Sequence, residues 1–348
     1  MGLVEGVAEA IASLLKTYSG AWSDSISRRK PFIIAGYLLS ALSKPFIGAS
    51  HSWVDVLGAR AADRMGKGIR SAPRDALISD SVSPSFRGAA FGWHRGMDTL
   101  GAAVGPLFAI LILSINRQDL RSLYYWALIP GLISVFIIFF VRESKPLIAV
   151  KKKWISPLKG WGELSSDFKK YIIAWGVFSL TNSSDVFLLM KAKISAGLSI
   201  ETVILIFCSY NLIYSLSSPY LGKLSDRMDR RNILILGLII FLFSYLGFGF
   251  ASQPWHFWVL FAIYGLYMGA TDGVGKALAI DLSTESLKAT GLGILGTVSG
   301  VCTVLASFFA GLIWDHYGSF WTFAYGGLGA FCCILLLVKT SRKPRLLR

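Results

Sequence analysis

The chain has 348 residues, of which 54% are hydrophobic and only 16% are charged, and its mean hydropathy is +0.57. A soluble domain cannot bury this much apolar surface, so the composition indicates a protein whose solvent is the lipid bilayer. The net charge of +15 would suit a nucleic-acid-binding protein. However, the lysines and arginines gather between apolar runs, and this placement excludes nucleic acid as the partner.

Apolar runs long enough to cross a bilayer as helices follow one another along the chain. Five precede and six follow a polar segment; in chain order they cover residues 2–22, 32–50, 53–82, 89–115, 123–141, 171–190, 201–221, 233–252, 255–282, 289–317 and 320–337. The sequence therefore predicts an all-α integral membrane protein of about 11 transmembrane helices. The predicted parts are an amino-terminal bundle at 1–142, a cytoplasmic linker at 143–170, a six-helix bundle at 171–338 and a basic cytoplasmic tail at 339–348.

A short basic motif follows the first run and returns 202 residues later. Its two copies pair Gly20, Asp24, Arg28 and Arg29 with Gly222, Asp226, Arg230 and Arg231. The loops at 80–88 and 281–289 also correspond, with an offset of 201. Two correspondences in nearly one register indicate that the chain is a duplication. The basic loops lie in the cytoplasm by the positive-inside rule.

Aligning the two copies leaves the run at 171–190 without a counterpart in the first half. We therefore expect that an upstream first helix is missing, through truncation or a misplaced start codon. Met1 leads into the first run with neither a basic segment nor a cleavage site, so that run is not interpreted as a secretory signal peptide. Because the first run descends towards Arg28 and Arg29, Met1 is predicted to lie outside.

The paired motif resembles the signature of the major facilitator superfamily, and the resemblance covers essentially the whole chain. It implies two pseudo-symmetric helical bundles and a secondary transporter of the bacterial inner membrane. The partners it implies are a small-molecule solute, protons or another coupling ion, and the lipid bilayer. It also implies that Asp24 and Asp226 each cap a helix and pair with an arginine across the bundle interface. Simple topogenic charge remains the alternative for the arginine pairs.

A small-residue segment in the fourth run contains Gly101, Gly105 and Pro106. Glycines and proline create a kinkable surface that a neighbouring helix can approach closely. The segment resembles the antiporter motif of the superfamily, which implies proton-coupled export. Ala109 stands where that motif usually has its last glycine, and ordinary small-residue packing is the alternative.

Charged side chains at bilayer depth are costly, so their positions are the best guide to a transport path. The third run carries basic and acidic side chains at three- and four-residue steps, which places them on one helical face. Arg60 and Asp63 are the deeper members of this face and are assigned to the path. Arg64 is assigned with them because its spacing to Gly68 resembles that of the superfamily's signature arginine on this helix. Snorkelling from the cytoplasmic end is the alternative for Arg70, Arg74 and Asp75.

Further polar side chains within the runs complete the predicted proton and substrate path. They are Glu5, Glu9, Arg95, Asp98, Asn182, Asp185, Asp272 and Lys276. Burial and a nearby cation push a carboxylate pKa in opposite directions, which suits a proton carrier. We expect Asp98 to be buried beside Arg95 and to carry the coupled proton. Glu5 and Glu9 either border the cavity or lie at the outer interface.

No arrangement of nucleophile and base, phosphate-binding loop or metal-ligand spacing is visible in the sequence, so we expect no enzyme activity, cofactor or metal site. The four cysteines lie within apolar runs and imply no disulfide. The function predicted is secondary transport by alternating access, proton-coupled and directed outward. The rival prediction is a non-transporting sensor or scaffold, or an inactive truncated copy of a transporter.

Overall fold

The computed structural model describes residues 2–115, 119–143 and 161–339, with the side chains of 2–8 and 10 outside the description. Over these ranges the chain is helical and has no strand. The principal helices are α1 (Gly2–Ile26), α2 (Lys30–Gly48), α3 (Trp53–Asp80), α4 (Arg87–Ile115), α5 (Leu120–Trp126), α6 (Leu128–Phe140), α7 (Ser166–Ser179), α8 (Val186–Ser195), α9 (Ile200–Arg227), α10 (Arg230–Phe250), α11 (Pro254–Leu282), α12 (Lys288–Tyr317) and α13 (Ser319–Lys339). Most of the predicted linker and the basic tail beyond residue 339 lie outside the described residues.

Within the described residues, eight helical segments are long and apolar enough to cross a bilayer by length and composition. They comprise α2, α4, the α5–α6 pair, and α9 to α13. The other predicted crossings correspond to α1, α3 and the α7–α8 pair. Charged side chains interrupt the apolar sequence of α3, although this helix packs between α1 and α2. The prediction of an all-α protein with two bundles is confirmed.

The predicted run at 171–190 is not one helix, because the chain breaks between α7 and α8. Five consecutive polar residues, 181–185, occupy the break. Their side chains bond locally or to neighbouring helices, which offers the backbone an alternative to continuing the helix. For example, the Thr181 hydroxyl donates to the Phe178 carbonyl at 2.9 Å, and the Asp185 carboxylate accepts from the Tyr264 hydroxyl at 2.7 Å. The break places Asp185 at the start of α8.

The bundles meet along two helix pairs, α1 with α12 and α4 with α9. Small residues allow this contact: a side chain at Gly88 would overlap the carbonyl oxygen of Gly222, and one at Gly92 would overlap that of Ser218. A side chain at Gly20 would likewise overlap the carbonyl oxygen of Ala289. All of these contacts lie towards the end that carries the basic loops.

The expectation of a close helix contact is wrong for Gly101 and Gly105, whereas for Pro106 it stays a prediction. Nothing described lies within 4 Å of a Cβ built on Gly101 or Gly105. The reason is rotational position, because the stripe that contacts α9 repeats every fourth residue from Gly88. Gly101 is five residues beyond Gly96, a member of that stripe, and at 100° per residue it therefore lies about 140° around the helix from Gly96.

We predict that Gly88→Ala destabilises the protein, whereas Gly101→Ala does not. The first adds a methyl group where α4 touches the α9 backbone, so the helices must separate. The second adds a methyl group in open space and raises helix propensity, worth up to about 1 kcal/mol. Unfolding temperatures of the two variants in one detergent measure the difference. Equal gains would show that helix propensity rather than close packing dominates at both positions.

We predict that the basic loops face the cytoplasm. Ser85 is exposed at the end of the molecule that carries them, and His51 is exposed at the opposite end, between α2 and α3. In intact cells a membrane-impermeant thiol reagent should label His51→Cys rapidly and Ser85→Cys only after lysis. The reverse pattern would invert the topology. Protein with all four native cysteines replaced provides the background.

Candidate functional site between the two bundles

Asp24 connects the end of α1 to the start of α12. One carboxylate oxygen accepts from both the backbone N–H and the hydroxyl of Thr290, each at 2.7 Å, and the other pairs with Nη1 of Arg29 at 2.6 Å. A carboxylate at a helix amino terminus satisfies unpaired N–H groups and complements the helix dipole. Because the two helices belong to different bundles, this cap joins the bundles.

Asp226 makes the equivalent connection from α9 to α4. Its carboxylate accepts from the backbone N–H groups of Gly88 at 2.8 Å and Ala89 at 2.7 Å. Arg230 pairs with the same carboxylate at 2.8 Å. The two caps are therefore related by the duplication, and each joins the bundles as the resemblance implied. The implied arginine across the interface is wrong, because Arg29 and Arg230 belong to the same bundles as Asp24 and Asp226.

The structure corrects the alignment of the motif arginines. The sequence pairs Arg28 with Arg230, but Arg29 holds Asp24 and Arg28 is exposed. The first copy has one more residue between the aspartate and its arginine partner than the second copy. Ser27, whose backbone is left-handed at φ 52°, accommodates this extra residue. Arg231 lies at the start of α10, where its N–H bonds to the Asp229 carboxylate at 2.9 Å. The interface arginines are thus Arg29 and Arg230.

A second pair of ionic contacts closes the same end of the molecule. Asp80 pairs with Lys288 at 3.1 Å, and Arg87 pairs with Asp281 at 2.9 Å. Each member of one pair is 201 residues from its counterpart in the other. The duplication therefore produces two copies of this contact as well.

Two further ion pairs join the bundles deeper in the membrane. Lys276 of α11 lies 2.7 Å from Asp75 of α3, and Asp272 lies 3.0 Å from Arg95 of α4. Asp272 is ten residues from the end of α11, which places it about 15 Å along the helix axis at 1.5 Å per residue. The Asp75 side chain is only 5% exposed and also pairs with Arg74 at 2.9 Å.

Arg95, Asp272 and Lys276, which the sequence assigns to the path, come together in the structure. Asp75 and Arg74 join them, although the sequence did not assign these two residues to the path. Tyr214, whose hydroxyl donates to Asp272 at 2.7 Å, is also absent from the predicted path. A signal for Asp75 was present, because Asp75 and Lys276 are separated by the 201 residues of the repeat.

Asp98 differs from its prediction. It pairs with Arg95 at 3.0 Å, but its side chain is 55% exposed. The expectation that Asp98 is buried is therefore wrong. Asp98 lies on a face of α4 that does not contact α9, so within the described residues no second helix covers its carboxylate.

Asp185 and Asn182 form a separate polar cluster inside the carboxy-terminal bundle. The Asp185 carboxylate accepts from the hydroxyls of Tyr264 at 2.7 Å and Tyr210 at 3.0 Å. Asn182 lies 3.4 Å from the Tyr267 hydroxyl and accepts from Tyr245 at 3.3 Å. Among the described residues no lysine, arginine or histidine lies within ion-pair distance of Asp185.

The remaining predicted path residues lie within the amino-terminal bundle. Glu9 is 3.6 Å from Arg64, and Asp63 pairs with Lys44 of α2 at 3.0 Å. Arg60 is half-buried on α3. The Glu5 side chain lies outside the described residues.

The model of the Major Facilitator Superfamily matches residues 1–206 and 186–347. The chain therefore belongs to this superfamily, a group of membrane transporters rather than enzymes.

The uncharacterized MFS-type transporter MJ1317 of Methanocaldococcus jannaschii is 34% identical over 343 residues, covering 97% of this chain and 85% of that protein. Multidrug resistance protein MdtG of Salmonella paratyphi C is 25% identical over 284 residues, 78% of this chain and 67% of MdtG. The crystal structure of the human organic anion transporter MFSD10 superposes with a TM-score of 0.83, covering 97% of this chain and 83% of that one. At 16% identity this last likeness shows the fold alone.

Proposed function

We propose that the protein is a secondary transporter of the plasma membrane that moves a small solute by alternating access between the two bundles. The observation that carries the proposal is the pair of ionic contacts within the membrane, the buried Asp75 with Lys276 and the half-buried Arg95 with Asp272. Charged groups at this depth are costly and are found where they line a path or switch partners. A static scaffold would be as stable with apolar residues there.

The distribution of contacts supports an outward-facing state. The inter-bundle hydrogen bonds and ion pairs described above extend from the basic loops to the middle of the membrane. Capping of α12 by Asp24 and of α4 by Asp226 closes the cytoplasmic side. Transport then requires these contacts to break as the opposite side closes.

We propose that transport is coupled to protons and that Asp185 is the carrier. Asp185 as a residue is half-buried, and among the described residues only tyrosine hydroxyls hold its carboxylate. A hydroxyl can donate to the ionised form or accept from the protonated form, so the cluster can hold either state. It lies at a helix break, where membrane carriers place ion sites. Asp98, already paired with Arg95, is the second candidate.

We propose export as the direction. The support is the resemblance of the segment around Gly101 and Pro106 to the antiporter motif, together with the similarity to a multidrug resistance protein. The rival function is a non-transporting sensor or scaffold. The ion pairs within the membrane favour transport over that rival.

Reconstitution into proteoliposomes tests the proposal. Vesicles loaded with a mixture of unlabelled solutes should accumulate the labelled substrate by counterflow, and Lys276→Met should abolish the accumulation. Substrate binding without counterflow in the wild-type protein would favour the sensor.

We predict that Asp185→Asn abolishes transport driven by a pH gradient but leaves exchange of solute for solute intact. An amide still bonds to the two tyrosines but cannot take up or release a proton. Uptake with and without an imposed pH gradient measures the effect, with Asp98→Asn as the matched control. If only the Asp98 variant loses the pH response, the proton carrier lies on α4.

A further inference from the structure

A group of cations on α1 and α3 lies on the side of the amino-terminal bundle that faces the other bundle. The Lys16 side chain packs along α12, where its Cδ would touch a side chain at Gly296. The charges that act most strongly on Lys67 are those of Glu9, Arg64, Arg95 and Arg70, so one carboxylate faces three guanidinium groups around this lysine. The positive charges of Lys67, Arg95 and Lys276 in turn act electrostatically on Lys16. These cations therefore converge beside the inter-bundle ion pairs.

Arg95 and Lys276 have carboxylate partners, but in the part of the chain that the structure describes Lys67 has none within ion-pair distance. Among the described residues no hydrogen-bond or ion-pair partner lies near the Lys67 ammonium group, which is exposed. Lys16 shares Glu9 with Arg64, and its ammonium lies 3.9 Å from that carboxylate. The exposed carboxylate of Asp98 already forms an ion pair with Arg95.

Arg70 is held in a fixed orientation by neutral groups. Its guanidinium lies 4.1 Å over the ring of Tyr37 and donates to the Ser40 hydroxyl at 2.9 Å. Its Nε is buried without a hydrogen-bond partner among the described residues. A pre-oriented guanidinium with donors to spare is the usual means of binding carboxylate or phosphate.

We propose that Lys16, Lys67 and Arg70 form the site of an anionic solute, a small organic molecule carrying a carboxylate or phosphate group. The proposal rests on the transport function and names the class of its substrate. Converging cations repel one another at low dielectric, and an anion between them removes that cost. Arg70 would fix the orientation of the acidic group, while the two ammonium groups supply charge.

Ligand-induced stabilisation of the purified protein tests the charge preference. Two matched pairs of probes, glucose 6-phosphate with glucose and succinate with succinamide, are compared at constant ionic strength. At least one anion should raise the unfolding temperature, and its neutral partner should not. Stabilisation by neither anion, or equally by a neutral partner, overturns the proposal.

Variants of Lys67 locate the site. Lys67→Gln should weaken the apparent affinity for that anion by about tenfold, equivalent to about 1.4 kcal/mol, and Lys67→Arg should restore it. Lys223→Gln, which removes an exposed lysine near the cytoplasmic end of α9, should change nothing. Unaltered binding by Lys67→Gln, or equal loss in both glutamine variants, contradicts the proposal.

The outcomes separate the site from the function. Anion binding without counterflow would contradict transport and leave the site in place. Counterflow of a neutral or cationic solute, without anion binding, would contradict only the site.

Discussion

Asp75→Asn will destabilise the folded protein by about 3 to 5 kcal/mol, the usual cost of removing one partner from a buried ionic contact. Asp75 neutralises two cations, Lys276 and Arg74, and its side chain is 5% exposed. The substitution therefore leaves two positive charges without a carboxylate at the bundle interface. Lys276→Gln should cost less, because Asp75 keeps Arg74 as a partner.

Thermal unfolding in detergent ranks these variants. Asp98→Asn is the matched control. It also removes a carboxylate from an ion pair, but the Asp98 side chain is 55% exposed. Such a pair contributes about 0 to 1 kcal/mol. If the Asp75 variant is as stable as the Asp98 variant, the interface around Asp75 is hydrated and the Asp75–Lys276 pair is dispensable for stability.

Asp24→Asn and Asp226→Asn will each lower turnover while leaving solute affinity within a few fold. Each carboxylate caps a helix of the opposite bundle, so its loss weakens the cytoplasmic closure. A coupling of about 1 to 3 kcal/mol shifts the equilibrium between the two states roughly 5- to 150-fold. The Asp24 change should be more severe, because Asp24 also accepts from the Thr290 hydroxyl. Lys30, the next cation after Arg29, does not strengthen this cap, because its ammonium group bonds to the carbonyls of Phe139 and Val141 in its own bundle.

Transport kinetics and the exposure of an introduced cysteine to the cytoplasm measure this shift. Asp229→Asn is the control, because Asp229 caps α10 within a single bundle and is exposed. The two interface variants should open the cytoplasmic side, and the control should not. A collapse of affinity with normal turnover would place Asp24 or Asp226 in the binding site instead.

The fold was predictable because its signals are local. Apolar runs, basic loops and the repeated motif each follow from a short stretch of sequence, and together they define the membrane crossings and the duplication. The break between α7 and α8 also has a local signal, the polar residues 181–185, but a count of apolar residues overlooks it. Hydropathy alone likewise underrates α3, since its charges bind across the bundle interface.

The site was only partly predictable because partners are chosen by the crossing of distant helices. Asp272 and Lys276 stood out as intramembrane charges, but nothing nearby in the sequence assigns them Arg95 and Asp75. Asp98 looked buried because it lies in an apolar run, yet its face of α4 is exposed. Arg29 replaced Arg28 through one left-handed residue, Ser27, and such a change of register has no signature in an alignment.

The Asp75–Lys276 contact carries a historical consequence. The capping contacts come in duplicate, so two identical halves could already have made them as a symmetric pair. Asp75 and Lys276, in contrast, occupy the same position of the two repeats and touch each other, which places them beside the pseudo-two-fold axis. Two identical halves would have placed two aspartates or two lysines in contact at this position, and like charges repel each other. The Asp75–Lys276 pair therefore requires two halves that already differ at this position, and a symmetric pair of identical halves could not contain it.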